Sequence, residues 1–204
     1  MARPKKDQNK TPSRELLLEA ATELIRTNGY TSTTVDDLCE KAGVSKGTFF
    51  HNFTSKDELA VAAAHRWSDV TGEFFRGAPY HEKKDPLDRF LGYIKFRRKI
   101  LKGDLPEFTC LVGTMVQEVY SSHPEITQAC YNSIFKHAET LEADIAEAKK
   151  LYAPKAKWTP KSLALHTQAV IQGAFILAKA SGEAKLAAES IDHLENYIHL
   201  LLKK

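Results

Sequence analysis

A chain of 204 residues can bury a sizeable core, as one compact unit or two small ones, and its 43% hydrophobic and 27% charged residues are ordinary for a soluble globular protein. A formal net charge of +3 is too small to prove a nucleic-acid partner by itself. No apolar run reaches the length of a membrane span and the polar, basic start has no apolar signal core, so the expected location is cytoplasmic, with no membrane partner.

The first residues, MARPKKDQNKTPSR, form a polar tail in which Arg3, Lys5, Lys6, Lys10 and Arg14 outnumber Asp7. Such a terminus reads as a solvated arm. Attached to a DNA-binding unit, it can also lie along phosphates or enter the minor groove. Helical spacing then runs from about Ser13 to Thr27, with Leu17, Ala20, Ala21, Leu24 and Ile25 on one side. Asn28 and Gly29 end that helix, and Tyr30 is expected to pack against later helices.

From Thr33 to Lys56 the chain reads as two short helices joined by a tight turn. Thr33 or Thr34 can cap the first, with Asp36 or Asp37 placed for a capping box and for the positive helix end. Val35, Leu38, Cys39 and Ala42 share one face, and Gly43 supplies the C-cap because a left-handed residue costs glycine least. Ser45 caps the second helix, whose buried side is Phe49 and Phe53. Lys46, Thr48, Phe50, His51 and Asn52 are left pointing outward. This is a helix-turn-helix whose second helix is dressed to meet DNA, braced by the preceding helix into a small three-helix core.

The pattern Gly29-Tyr30, Thr33-Thr34, Leu38, Ala42-Gly43-Val44-Ser45-Lys46-Gly47-Thr48, Phe53 and Ser55-Lys56 resembles the DNA-binding signature of the TetR family of bacterial repressors. One departure stands out. Phe50 occupies the place where the family usually has a tyrosine whose hydroxyl meets a phosphate, so that hydrogen bond is missing.

A fourth helix runs from Ser55 to about Arg76, with Leu59, Ala63, Trp67, Val70 and Phe74 as its seam. It reads as the connector between a DNA-facing end, where Lys56 offers a charge to a phosphate, and the rest of the chain. Pro86 opens a helix to about Leu101 that presents Leu87, Phe90, Leu91, Ile94 and Leu101. Its basic flank, Lys95, Arg97, Arg98, Lys99 and Lys102, reads as a solvated face, with a second DNA or acidic-ligand site as the alternative. Gly103 to Pro106 break the pattern. Further helices follow near Thr109 to Ser121, from Pro124 to about Leu151, and from about Lys161 to Ala180. The last helix, after Ser181-Gly182, carries Ala187, Ile191, Leu194, Ile198 and Leu201, with Leu200 and Leu202 outside that repeat.

No strand-like alternation of useful length occurs, so the expected class is all-α. An N-terminal arm and three-helix DNA-binding domain (1–54) would precede a larger helical ligand-binding and dimerisation domain (55–204). The excess apolar residues of the two last helices, with small Gly173 and Ala174, point to two-fold pairing with a second copy, which the resemblance also implies. The alternative is that both helices complete the monomer core. Cys39, Cys110 and Cys130 lack CxxC spacing and read as reduced, buried thiols, with a redox role open for Cys110. No HExxH, nucleophile elbow, P-loop or GxGxxG occurs, and the eight histidines are spread out, so no catalytic residue, metal site or cofactor is expected.

The chain therefore reads as a dimeric transcriptional regulator, a repressor released from palindromic double-stranded operator DNA by a small-molecule effector. The expected DNA contacts are Thr33, Thr34, Ser45, Lys46, Gly47, Thr48, Phe50, His51, Asn52 and Lys56, with Lys46 and Thr48 at base edges and Thr33, Thr34 and Lys56 at phosphates. The expected ligand contacts are Trp67, Tyr93, Cys110, Met115, Gln117, His137 and Gln172, which suit a mostly apolar ligand with one or two polar groups. Two rival readings stay open at this point: a regulator controlled by a protein partner, and a helical enzyme using the C-terminal cavity.

Overall fold

In a computed structural model describing residues 12–202, the glycines expected to end helices, Gly29, Gly43 and Gly182, each directly follow the last residue of one. The helices are α1 (Ser13–Asn28), α2 (Val35–Ala42), α3 (Lys46–Asn52), α4 (Lys56–Arg76), α5 (Pro86–Lys99), α6 (Leu105–Phe108), α7 (Leu111–Val119), α8 (Pro124–Tyr152), α9 (Pro160–Ser181) and α10 (Ala184–Leu202). No strand occurs among the described residues, and the fold is all-α. Pro86, Pro124 and Pro160 each open a helix, where the missing N–H would have had no partner anyway. The basic tail as far as Lys10 lies outside the described residues.

Two short elements escape the periodicity of the sequence. Pro79–Glu82 forms a 3-10 turn, and the expected break at Gly103–Pro106 runs into the single turn of α6. Asp104 and Glu107 bracket that turn as a capping box, a local signal too short to show in a hydrophobic pattern.

Two large cores, labelled lower and upper, form beside a small third cluster of Ala174, Ala178 and Ala187. The lower one joins Leu17, Ala21, Leu38, Phe49, Phe53, Leu59 and Ala63 to Leu111, Met115 and Val119 of α7 and to Ile126 and Cys130 of α8. The upper one gathers Phe75, Phe90, Tyr93, Ile94, Leu141, Ile145, Leu163, Ile171, Ile191, Leu194 and Ile198. The helix-turn-helix is thus packed on α7 and the start of α8, since three short helices bury too little apolar surface alone.

α4 contributes to both cores and changes its buried face on the way. Leu59 and Phe75 are both buried, yet sixteen residues apart they lie about four and a half turns along the helix and point to opposite sides. The single seam expected through Val70 and Phe74 therefore does not form, and both are 50% exposed.

The terminal helices also differ from expectation. Ala187, Ile191, Leu194, Ile198 and Leu202 are at most 2% exposed within the one chain, packed on α5 and α9. This stripe completes the core of the single chain, with Leu202 buried where the expected repeat had Leu201, which is only half-buried. The apolar side chains left outside are Ile176 (48%), Leu177 (51%), Tyr197 (44%) and Leu200 (79%).

Candidate nucleic-acid interface and interior cavity

The capping chemistry of the sequence builds the helix-turn-helix. The Thr34 hydroxyl accepts the Asp37 N–H (3.1 Å) while the Asp37 carboxylate accepts the Thr34 N–H (2.8 Å), completing the capping box of α2. Those bonds hold the Asp37 carboxyl below its ordinary pKa. Gly43 sits at φ 63°, the left-handed conformation that turns the chain back on itself, and the Ser45 hydroxyl accepts the Thr48 N–H (3.1 Å) to start α3. Phe49 and Phe53 anchor α3 in the core, at 0% and 1% exposure.

Lys46, Gly47, Phe50 and His51 are exposed on the outer side of α3, and Thr48 is half-buried. Phe50 is 56% exposed, an apolar ring in water at the centre of the face. Lys46 pairs with Asp36 at 2.7 Å, which raises its pKa through the hydrogen bond and then through the charge. Both partners are well exposed, so the pair is weak and exchangeable for a stronger anion.

Three expected DNA contacts have other partners. Thr33 is 1% exposed and its hydroxyl donates to the Gly29 carbonyl (2.7 Å), so its side chain is withdrawn from any phosphate. The Lys56 ammonium donates to the carbonyls of Tyr30 (3.0 Å) and Thr33 (2.9 Å) and lies 4.2 Å from the Tyr30 ring centre. It clamps the loop before α2 instead of offering its charge outward. The Asn52 amide donates to the Ser13 hydroxyl (3.1 Å) and the Thr48 carbonyl (2.8 Å), tying α3 to the start of α1. Buried carbonyls and hydroxyls need partners, and these three side chains supply them.

Polar ties join this unit to the helices above. Glu118, near the end of α7, accepts the N–H of Tyr30 (3.0 Å) and of Thr31 (2.8 Å). The Tyr30 hydroxyl bonds the Asp57 carboxylate, and burial, then that bond, pushes its pKa up. Arg26 donates to the Thr109 carbonyl (2.8 Å), and Lys179 of α9 donates to the Arg26 carbonyl (3.2 Å) and the Thr114 hydroxyl (2.8 Å). Burial lowers the pKa of both cations, with Arg26 adding to the effect on Lys179. None of these ties has a local sequence signature, since each joins residues far apart in the chain.

A cavity of about 280 Å³ opens among α4, α5, α8 and α9. Of the expected ligand contacts, Trp67, Cys110, His137 and Gln172 line it. Tyr93, fully buried, stands behind them: its hydroxyl accepts a bond from the Gln168 amide (2.9 Å) and lies 2.9 Å from His137 Nε2. Burial, reinforced by the charge of Arg97, pushes the His137 pKa down to about 3, so at neutral pH the ring is uncharged and its Nε2 can accept the Tyr93 proton.

Met115 belongs to the lower core, with no exposure, and does not line the cavity. Gln117 points into a separate cleft of about 230 Å³ beside Lys179 and donates to the Gly113 carbonyl (2.6 Å). Both lie on α7, two residues and so about 200° apart around the helix, and therefore enter different spaces. Among the cavity contacts missed are Phe75, Phe108, Ser133 and Phe175, and also Arg97, read in the sequence as part of a solvated basic flank.

Residues 17–63 match the model of a family described as bacterial regulatory proteins, tetR family. The HTH-type transcriptional regulator YvkB of Bacillus subtilis is 28% identical over 133 residues, which cover 64% of this chain and 68% of that one. An HTH-type regulator from the lacX 3′ region of Lactococcus lactis is 24% identical over 193 residues, 90% and 91% of the two chains. Among solved structures, the regulatory protein TetR from Rhodobacter sphaeroides has the same fold with a TM-score of 0.80 at 20% identity, over 91% of this chain and 98% of that one.

Proposed function

Starting from a chain whose N-terminal domain belongs to the TetR family of bacterial regulatory proteins, and which is thus a DNA-binding transcriptional regulator, we propose that it is a homodimeric repressor released from its operator by a small-molecule effector. Each protomer places α3 in the major groove of one half-site, with residues 1–54 as the reading unit and the helices beyond as the ligand-binding and pairing unit. Thr34, Ser45, Lys46, Gly47, Thr48, Phe50 and His51 meet the duplex. Lys46 suits guanine acceptors and Thr48 a thymine methyl, while Phe50 makes apolar contacts only.

The observation that carries the coupling is the course of α4. Its first residue, Lys56, clamps the loop before α2, and the same helix brings Trp67 and Phe75 to the cavity wall. A ligand that shifts α4, or α7 through Cys110 and Val112, therefore moves the reading unit. Release requires that the ligand bind the non-operator conformation better than the operator-bound one.

Pairing with a second copy uses the outer side of α9 and α10, where Ile176, Leu177, Tyr197 and Leu200 stand exposed and Gly173 leaves room for a close helix. Selection of duplexes from a random pool tests the reading: an enriched inverted repeat with half-sites one or more helical turns apart supports it, and a pool without a palindrome refutes it.

A further inference from the structure

The basic run of α5 divides into two kinds of cation. Lys95 pairs with Glu195 (3.4 Å) and Arg98 with Asp192 (2.5 Å), both on α10. Arg97, between them, faces the other way and lines the cavity. Its guanidinium lies 5.1 Å from the centre of the Phe75 ring and 5.5 Å from that of Phe175. Among the described residues no carboxylate pairs with it and no group hydrogen-bonds to it.

The two rings offset part of the cost of drawing this charge out of bulk water, but a guanidinium has five donors and a geometry suited to a carboxylate. Two further polar groups on the cavity wall, the Gln172 amide and the Ser133 hydroxyl, also have no hydrogen-bond partner among the described residues. The neighbouring His137 cannot supply a second positive charge, because burial and Arg97 itself keep it neutral. The remaining charged residues of the wall, Asp69, Arg76 and Lys136, are exposed.

We propose that the cavity binds a small organic monocarboxylate, its carboxylate held by Arg97 and its apolar body laid among Phe75, Phe175, Phe108 and Trp67. Among the described residues Arg97 is the one cation of the wall that is not exposed, and a single guanidinium fork matches a single carboxylate. A volume of about 280 Å³ is at the small end for ligand pockets, which suits a single ring or a short chain. The assignment rests on the reading of the cavity as the effector site and names the chemistry of the effector.

Calorimetric titration of the full chain with matched pairs tests it: benzoate against benzamide, phenylacetate against phenylacetamide, hexanoate against hexanamide. In at least one pair the acid should bind about tenfold or more tighter than its amide, the scale expected for a hydrogen-bonded charge. Arg97→Gln should abolish that preference. If Arg97→Gln does not fold, Arg97→Lys serves instead and should keep the preference at weaker affinity.

Equal binding of acid and amide, binding of amides alone, binding of no probe, or an acid preference that survives Arg97→Gln would each overturn the proposal. An amide that binds and weakens operator affinity would overturn the anion site alone. A carboxylate that binds through Arg97 and leaves operator affinity unchanged would keep the anion site and overturn the effector reading.

Discussion

The carboxylate of Glu118 accepts the backbone N–H of Tyr30 at 3.0 Å, joining the end of α7 to the loop that precedes α2. Its second oxygen takes the next N–H, that of Thr31, at 2.8 Å. Because α7 starts beside the cavity at Cys110 and Val112, this fork lies on a short path between effector and reading unit.

Glu118→Gln should loosen the path with little change in fold. An amide can accept only one of the two N–H groups and turns its own NH₂ toward the other. The loss in stability should be about 1 kcal/mol, read by urea denaturation. Ligand-to-operator coupling, roughly 5–150-fold for a typical allosteric protein, should fall toward unity in paired titrations. Unchanged coupling would route the signal through α4 alone.

Two lysines of the helix-turn-helix should behave differently when removed. Lys46 is exposed and, among the described residues, is held only by Asp36, so Lys46→Ala should leave stability unchanged, relax base preference and flatten the salt dependence of operator binding. Lys56→Met should instead destabilise the fold by about 1–3 kcal/mol, since the carbonyls of Tyr30 and Thr33 lose their shared donor. Operator affinity of the folded fraction should keep its salt slope. A flatter slope for Lys56→Met would mean that this ammonium turns outward when DNA arrives.

These contrasts mark how far local chemistry reaches. Thr34, Gly43 and Ser45 act within three or four residues of themselves, so caps, turn and the buried pair Phe49 and Phe53 were legible from spacing. The all-α class was legible for the same reason. Thr33 and Lys56 looked like surface residues because their partners, the carbonyls of Gly29 and of the Tyr30–Thr33 loop, exist only once the chain has folded. Arg97 shows the same limit in the cavity: a basic run has a periodicity, but which of its cations meets α10 and which meets Phe75 depends on how α5 is rotated in the bundle.

Pairing of protomers should respond to the outside of the terminal helices and not to their buried stripe. Ile176→Glu with Leu177→Glu places charges on side chains 48% and 51% exposed, and should give a folded monomer that no longer binds a palindromic duplex. Leu194→Ala, at a site 2% exposed, should cost about 2–5 kcal/mol of stability whatever the oligomeric state. Sedimentation and denaturation on both variants separate the two roles. A dimeric Ile176→Glu, Leu177→Glu protein would move the interface elsewhere.

His137 gives the fold a pH dependence whose sign follows from its burial. Its folded-state pKa is depressed to about 3 from the ordinary 6.5, by burial first and by the charge of Arg97 second. Between those values the unfolded chain binds a proton that the folded chain refuses, so stability rises with pH across this window. The contribution is complete above about pH 6.5 and is lost progressively as pH falls toward 3. One refused proton corresponds to at most about 1.4 kcal/mol per pH unit. His137→Gln, which can still accept the Tyr93 hydroxyl proton, removes the titration but keeps the hydrogen bond. Urea denaturation at pH 7 and pH 5 should show wild type losing more stability than the variant, the other titrating groups cancelling in the comparison. Equal losses would show that the ring takes up its proton inside the folded protein, with the cavity open to water beside it.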